Sequence, residues 1–201
     1  MTNYLPEVFA IDPKDGKTKF RFDETTELKI DDFLSQVELE GYFTKIADAK
    51  IKPEASFIRN PEVNPIAYSV VDGLVDSYKE YKDVVYIITF NGYIVKIGGT
   101  YTGMKKRHQS YNCGTRKARN SGTCSVTNYH LTEAQYTAIR DGKKVEWYVF
   151  DVPTQEVTAN IWNKDRKVSP KLYTFYESDL CDMYAEKTGH FPRLSKNSGI
   201  E

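Results

Sequence analysis

The pattern of apolar and polar residues first indicates strands. Two β-branched runs, DVVYIITF and YIVKIGG, meet at Asn91-Gly92 in the middle of the 201-residue chain. Because a type I′ turn needs positive φ at both central residues, Asn-Gly between two such runs predicts a β-hairpin. The alternating residues of KVEWYVFDV (144–152) predict a third strand, and TKFRF (18–22) predicts a further short one.

Helices are predicted before and after this hairpin. Residues 66–81 (IAYSVVDGLVDSYKEY) carry apolar side chains at helical spacing, and residues 29–46 are expected to contain a short helix. Residues 100–112 (TYTGMKKRHQSYN) are predicted to form a helix with glycines near its start. The other segments between these elements are predicted to be loops: 53–65, 112–130 and 158–170.

Two more helices follow from their start and stop signals. Thr132 is predicted to cap a helix that stops at Gly142. Ser169-Pro170 is predicted to start a helix that ends at Gly189, because a hydroxyl N-cap followed by proline favours a helix start. The resulting order of hairpin, helix, helix, strand and helix predicts an α+β fold, with a small central antiparallel β-sheet flanked by helices.

Charge changes the picture in one segment. The whole chain carries 28 basic and 28 acidic residues, so its net charge is zero. Residues 84–132, however, carry seven Lys and Arg side chains and no Asp or Glu. A solvated face usually mixes both signs, whereas a segment of one sign creates a local positive field that attracts polyanions such as nucleic acid.

Composition bounds the location and the metal chemistry. No apolar run is long enough for a membrane span, and the first residues lack a signal-peptide pattern, so we expect a cytoplasmic protein. Three cysteines argue against a disulfide framework. The series His108, Cys113, Cys124 and His130 could bind zinc, but its spacing matches no common zinc finger, and free thiols are the favoured alternative.

A second set of residues resembles a known family. VVY (84–86) and KIG (96–98) lie on the two predicted hairpin strands, Arg107 lies on the next helix, and Glu177 lies on the last helix. This order resembles the GIY-YIG nucleases, with Val84 replacing the first glycine of the signature and Lys96 replacing its second tyrosine. Some restriction enzymes of the family also place a lysine there. The resemblance covers residues 84–197 and is strongest to phage endonuclease II and the GIY-YIG restriction enzymes.

The resemblance implies a catalytic site for phosphodiester hydrolysis. Tyr86 would be the general base, and Lys96, expected nearly opposite it across the hairpin, would lower its pKa. Arg107 would neutralise charge on the scissile phosphate. The remaining implied site residues are Tyr111 as a phosphate hydrogen-bond partner, Glu177 as the ligand of Mg²⁺ (or Mn²⁺), and Asn197 as a contact to the phosphate or the glutamate, with Ser195 as its competitor.

The resemblance also implies the partner and the organisation. The expected substrate is double-stranded DNA, cut at a specific site by a type II restriction enzyme or a phage endonuclease; the alternative is a non-catalytic DNA-binding module. Residues 84–201 would form the catalytic domain, and 1–83 an N-terminal extension for target recognition or oligomerisation. A homodimer or homotetramer is expected because both strands must be cut. The predicted DNA contacts are Lys105, Lys106, His108, Arg116, Lys117 and Arg119.

Overall fold

The computed structural model describes residues 7–11, 18–59 and 63–195. In chain order the elements are β1 (Glu7–Ile11), β2 (Thr18–Phe22), α1 (Ile30–Gln36), β3 (Thr44–Ile51), α2 (Glu54–Arg59), β4 (Ile66–Val70), α3 (Val75–Glu80), β5 (Val84–Phe90), β6 (Tyr93–Thr100), α4 (Met104–Tyr111), α5 (Arg116–Asn120), α6 (Val126–Arg140), β7 (Val145–Asp151), β8 (Val157–Ile161), β9 (Lys164–Val168) and α7 (Tyr173–Thr188).

Five strands form one antiparallel sheet in the order β4-β3-β7-β5-β6. The predicted hairpin is β5–β6, and its turn residues Asn91 and Gly92 have φ of 51° and 85°, as the turn type requires. The predicted third strand, β7, lies at the centre of the sheet. The α+β fold class is confirmed. The sheet is larger than predicted because residues before Val84 supply β3 and β4.

Helices cover both faces of this sheet, and β5 is therefore buried along its whole length. The α4–α6 face is the side on which α4 and α6 pack; the buried residues there include Tyr86, Met104, Tyr111, Leu131 and Trp147. The α1–α7 face is the opposite side; its buried residues include Phe33, Val85, Ile87, Leu180 and Tyr184. Successive residues of β5 and β6 thus point into two separate apolar layers.

The last described residues cover part of the exposed edge at β6. The backbone N–H of Leu194 donates to the carbonyl of Val95 over 2.8 Å. The hydroxyl of Ser195 accepts from the N–H of Ile97 at 3.0 Å and donates to its carbonyl at 2.9 Å. These bonds satisfy backbone groups that an edge strand otherwise leaves unpaired. Gly98 and Gly99 lie immediately beyond this covered stretch of β6.

The predicted helix at 66–81 is wrong over its first half. Residues Ile66–Val70 form β4, and the helix α3 begins only at Val75. The reason is tertiary: β4 pairs with β3 along its whole length, from Ile66 opposite Ile51 to Val70 opposite Ala47. A short apolar run does not distinguish a strand from a helix until such a partner is known.

The start predicted for the helix before Gly142 is also wrong. This helix, α6, begins at Val126, where the hydroxyl of Ser125 caps it by accepting from the N–H of Asn128. Thr132 is buried inside the helix and donates its hydroxyl to the carbonyl of Asn128. The segment predicted as the loop 112–130 therefore holds the start of α6 as well as the short helix α5.

Distant partners explain the remaining differences. The helix α7 begins at Tyr173 rather than at Ser169-Pro170, because the Asp83 carboxylate accepts from the N–H groups of Leu172 and Tyr173 at 3.1 and 3.3 Å. A carboxylate at a helix N-terminus satisfies donors and complements the helix dipole. The predicted loops 158–170 and 53–65 contain the hairpin β8–β9 and the helix α2.

The part of the chain that the structure describes has no helix long and apolar enough to span a bilayer. The division at residue 83 and a role for the first 83 residues in target recognition or oligomerisation stay predictions.

Candidate active site at the edge strand

Three predicted site residues form one buried hydrogen-bonded cluster on the α4–α6 face. The hydroxyl of Tyr86 accepts from Nε and Nη2 of Arg107, at 3.1 and 2.9 Å. The hydroxyl groups of Tyr86 and Tyr111 lie 2.8 Å apart. The guanidinium also lies 4.8 Å from the centre of the Tyr111 ring. The Tyr86 oxygen is thus hydrogen-bonded to both the Arg107 guanidinium and the Tyr111 hydroxyl.

These contacts make the two phenols unequal. Burial raises the pKa of Tyr86, but the Arg107 guanidinium and the hydrogen bond from Tyr111 act in the opposite direction. Burial also raises the pKa of Tyr111 well above its usual value, and the neighbouring Tyr86 raises it further. Hydrogen bonds to an ionised oxygen favour that ionised form. These contacts favour ionisation of Tyr86 over that of Tyr111, and an ionised Tyr86 oxygen can accept from the Tyr111 hydroxyl.

Lys96 does not occupy the position that the hairpin turn predicts for it. A bulge between Ile88 and Thr89 shifts the register, so that Lys96 pairs with Ile88 and Tyr86 pairs with Gly98. The Lys96 side chain is buried and its Nζ donates to the carbonyl of Leu194 at 2.7 Å. Burial, followed by the charge of Arg107, lowers the pKa of Lys96 to about 8. The cation that bonds the Tyr86 oxygen is Arg107.

Two glycines of β6 allow the site to form around the strand. A Cβ atom on Gly98 would lie 2.5 Å from Cζ and Oη of Tyr86. On Gly99 it would lie 2.1 Å from Tyr173 Cδ2 and 2.7 Å from Glu177 Oε2. Because consecutive residues of a strand point to opposite faces, Tyr86 and Glu177 approach β6 from its two sides at adjacent positions. Any larger residue at either position would displace them.

Glu177 lines a cavity on the α1–α7 side. The cavity has a volume of about 210 Å³, and its lining includes Thr174, Glu177, Ser178, Asp182 and Ser195. Among the described residues, no group of three His, Cys, Asp or Glu side chains is arranged to hold a metal ion. A single carboxylate fits Mg²⁺, which keeps several waters and binds one or two carboxylates together with substrate phosphates. The residues present therefore fit a hydrated ion held by Glu177.

His108 is a core residue. Its exposed fraction is 3%, whereas a contact to phosphate was predicted. The ring stacks on Tyr68 at 3.6 Å between centroids, meets Trp147 edge-on at 4.4 Å, and bonds the hydroxyl of Tyr78 through Nδ1 at 2.8 Å. Burial lowers its pKa to about 3. His108 lies one helical turn after Met104, and both side chains are buried on the face of α4 that packs against the sheet. The imidazole therefore does not reach a phosphate outside.

The residues that support the cluster could not be identified from the sequence. Trp147 of β7 packs against Tyr86 and Tyr111, with ring centroids 5.3 and 5.8 Å apart. Its Nε1 donates to the side-chain oxygen of Gln135 at 3.1 Å. Trp147 follows the alternation of β7, but only the pairing of β7 with β5 shows that it lies beneath the phenols.

Four of the other predicted DNA contacts lie on exposed surfaces. Lys105 and Lys106 are exposed on α4, next to the cluster. Arg116 and Lys117 are exposed on α5 and line a cavity of about 730 Å³ between α5 and α6, where Thr115, Asn120 and Tyr136 also contribute. Arg119 is half-buried. The structure thus places two separate pairs of cations on one side of the sheet.

The four residues that could bind zinc by sequence do not converge as a set among the described residues. Cys113 and Cys124 lie together, with 3.4 Å between their sulfur atoms. His108 instead packs against Trp147, and His130 lies buried on α6 against Tyr129. Asn197 lies outside the described residues, while its competitor Ser195 bonds the backbone of Ile97 at the edge of β6.

A solved structure supports the fold of this chain. The restriction endonuclease HPY188I in complex with product DNA superposes with a TM-score of 0.53 and 25% sequence identity, over 83% of this chain and 84% of that one. The protein has the fold of a GIY-YIG nuclease. A mutant of bacteriophage T4 EndoII matches with a TM-score of 0.49 and 15% identity, over 78% of this chain and 95% of that one.

The resemblance predicted from the order of the site residues is therefore confirmed at the level of the GIY-YIG fold. The first of these structures is a restriction endonuclease in complex with product DNA, which supports a nuclease. No protein-family model and no curated protein matches the sequence.

Proposed function

We propose that the protein is a divalent-metal-dependent endonuclease that cuts double-stranded DNA at a specific site. The observation that carries this proposal is that Tyr86 packs against Gly98 and Glu177 lies against the next residue, Gly99. Arg107 is hydrogen-bonded to the Tyr86 oxygen at the same place. A proton acceptor, a cation for phosphate and a carboxylate for a metal are the groups that phosphodiester hydrolysis requires.

Tyr86 accepts the proton of the attacking water in this mechanism. Arg107 and Tyr111 hold its oxygen and favour the ionised phenol against the effect of burial. Arg107 has further N–H donors for a phosphate oxygen, because a guanidinium carries five and two reach Tyr86. Lys96 adds positive charge behind the phosphate. Glu177 would hold Mg²⁺ or Mn²⁺, which supplies Lewis-acid stabilisation of the leaving oxygen.

Incubation of supercoiled plasmid with the purified protein tests this function. We expect discrete linear products with Mg²⁺ and intact plasmid with a chelator. Glu177→Gln keeps the size of the side chain but removes the charge, so it should abolish cutting. Run-off sequencing of the ends would give the recognition sequence and the stagger. Intact plasmid with every divalent metal tested would favour the alternative, a DNA-binding module on a nuclease scaffold.

The biological role and the assembly are further parts of the proposal. A restriction role predicts a DNA methyltransferase gene nearby, and a phage role predicts neighbouring phage genes. One active site per chain favours a homodimer or homotetramer, because two strands are cut. Light scattering with and without DNA would measure the assembly. A cytoplasmic location remains a prediction.

A further inference from the structure

The hairpin β8–β9 extends from the body of the protein and carries an aromatic residue at its tip. Trp162 is 92% exposed, the highest value among the exposed large apolar side chains of the described residues. Trp162 and Asn163 form the turn with φ of 54° and 57°. Positive φ is uncommon for a bulky residue, and this tight turn leaves the indole exposed. The indole is therefore accessible to a binding partner.

The two faces of this hairpin differ in charge. The register pairs Val157 with Val168, Ala159 with Arg166, and Ile161 with Lys164. Directly opposed residues share a face, so one face carries apolar side chains, two cations and no carboxylate. The other face carries Asp165, which accepts from Asn160, and Lys167, which pairs with Glu156 over 3.4 Å. The uncompensated positive charge lies on the apolar face.

The base of the hairpin lies beside the candidate active site. Five residues after Val168, the ring of Tyr173 packs over Gly99 next to Glu177. Lys171 lies between Val168 and Tyr173 in the sequence. Its Nζ is 4.1 Å from the centre of the Tyr101 ring, and Tyr101 directly follows β6. Each strand has five residues, so the tip reaches roughly 17 Å from this base at about 3.3 Å per residue. That length exceeds the depth of the major groove, about 8.5 Å, so the tip is long enough to reach base edges.

We propose that the β8–β9 hairpin is a DNA-binding arm: it lies in a groove of the duplex beside the cut site, with Trp162 against the bases and Lys164 and Arg166 against the phosphates. A two-stranded ribbon fits the major groove, and apolar side chains inserted between bases are a known means of bending DNA. This inference rests on the proposed DNA endonuclease function.

Tryptophan fluorescence tests the arm directly. The chain has two tryptophans, and Trp147 is fully buried, so an emission change on adding DNA reports on Trp162. Titrations would use the Glu177→Gln protein, which keeps the DNA intact, and a short duplex of mixed sequence. We expect quenching that disappears in Trp162→Phe, and about tenfold weaker binding in Trp162→Ala, as for the loss of one base-stacking aromatic.

A matched pair of charge variants tests the face. Arg166→Gln and Lys167→Gln remove one positive charge from neighbouring positions of the same strand. The arm predicts that Arg166→Gln weakens binding several-fold more than Lys167→Gln. Equal effects of Arg166→Gln and Lys167→Gln on binding would refute the arm. Tryptophan emission that does not respond to DNA, together with unchanged affinity in the Trp162 variants, would also refute it. If the wild type still cuts plasmid in either case, the proposed nuclease function is unaffected.

Two other outcomes separate the arm from its alternatives. If the emission of Trp162 shifts with protein concentration in the absence of DNA, the hairpin contacts a second copy of the chain, and the arm is wrong. If the wild type neither binds nor cuts DNA, the proposed function itself fails. Thermal melting of each variant controls for folding.

Discussion

Arg107 and Tyr86 are joined by two hydrogen bonds, from Nε and Nη2 to one phenol oxygen. The geometry needs a planar fork, because both donors converge on a single acceptor. A lysine ammonium at position 107 would carry the same charge but would not reproduce the pair. Replacing Arg107 by lysine therefore separates the effect of its charge on cleavage from the effect of its shape.

Arg107→Lys should lower the rate of DNA cleavage about 100-fold, which is typical of losing a group that stabilises charge in the transition state. DNA affinity should change little, because the charge remains and Lys105 and Lys106 lie exposed on the same helix. Single-turnover cleavage and binding titrations measure the two effects. A cleavage rate within threefold of wild type would show that only the charge matters.

Gly98→Ala should damage the site and the fold together. The added Cβ would lie 2.5 Å from the Tyr86 ring, and overpacking of this kind costs about 1–3 kcal/mol. Gly142→Ala is the matched control, since no atom lies within 4 Å of its Cβ and only the positive φ of 81° is strained. Denaturant unfolding and plasmid cleavage would be measured for both. If Gly98→Ala kept the stability and the cleavage rate of the wild type, the packing of Tyr86 on β6 would be contradicted.

Lys96→Met should stabilise the protein while removing its activity. The folded pKa of Lys96 is about 8, against 10.5 in the unfolded chain. Because the unfolded chain binds the proton more tightly, the buried amine lowers stability below pH 8, and this effect fades as pH rises towards 10.5. We expect a gain of about 2 kcal/mol at pH 7 after the lost bond to Leu194. Denaturant unfolding at several pH values checks it, and a gain that persists at pH 10.5 would refute the linkage.

His108 should make the fold sensitive to acid. Its folded pKa is about 3, below the 6.5 of an unfolded histidine. The unfolded chain therefore takes up a proton that the native state excludes, and stability falls as the pH drops from 6.5 towards 3. His108→Phe keeps the ring on Tyr68 but cannot titrate. Its stability should fall less between pH 7 and 5 than that of the wild type, as thermal melting would measure; identical slopes would rule this out.

The sequence predicts the centre of the fold better than its periphery. The hairpin follows from Asn91-Gly92, which is a local signal, and the strand 144–152 follows from alternation. The segment 66–70 was mispredicted because its strand character comes from pairing with β3. The start of α7 was mispredicted because its cap, Asp83, lies about 90 residues away in sequence.

The site shows the same division. The order of Tyr86, Arg107, Tyr111 and Glu177 could be read from the sequence because residue types recur at fixed order along a known pattern. The pairing of Arg107 rather than Lys96 with Tyr86 could not, because it depends on the bulge in the hairpin. The burial of His108 depends on Tyr68, which the predicted helix at 66–81 placed elsewhere.

The most direct test of the account is single-turnover cleavage by Tyr86→Phe, with Tyr111→Phe as its matched control. Both variants remove one hydroxyl from the same 2.8 Å pair, and binding of the uncut duplex without metal shows whether each still holds DNA. If Tyr86 accepts the proton of water, Tyr86→Phe should lose about 10²–10⁴-fold in rate, and Tyr111→Phe should lose much less. Cleavage by Tyr86→Phe at or above the rate of Tyr111→Phe would contradict the account.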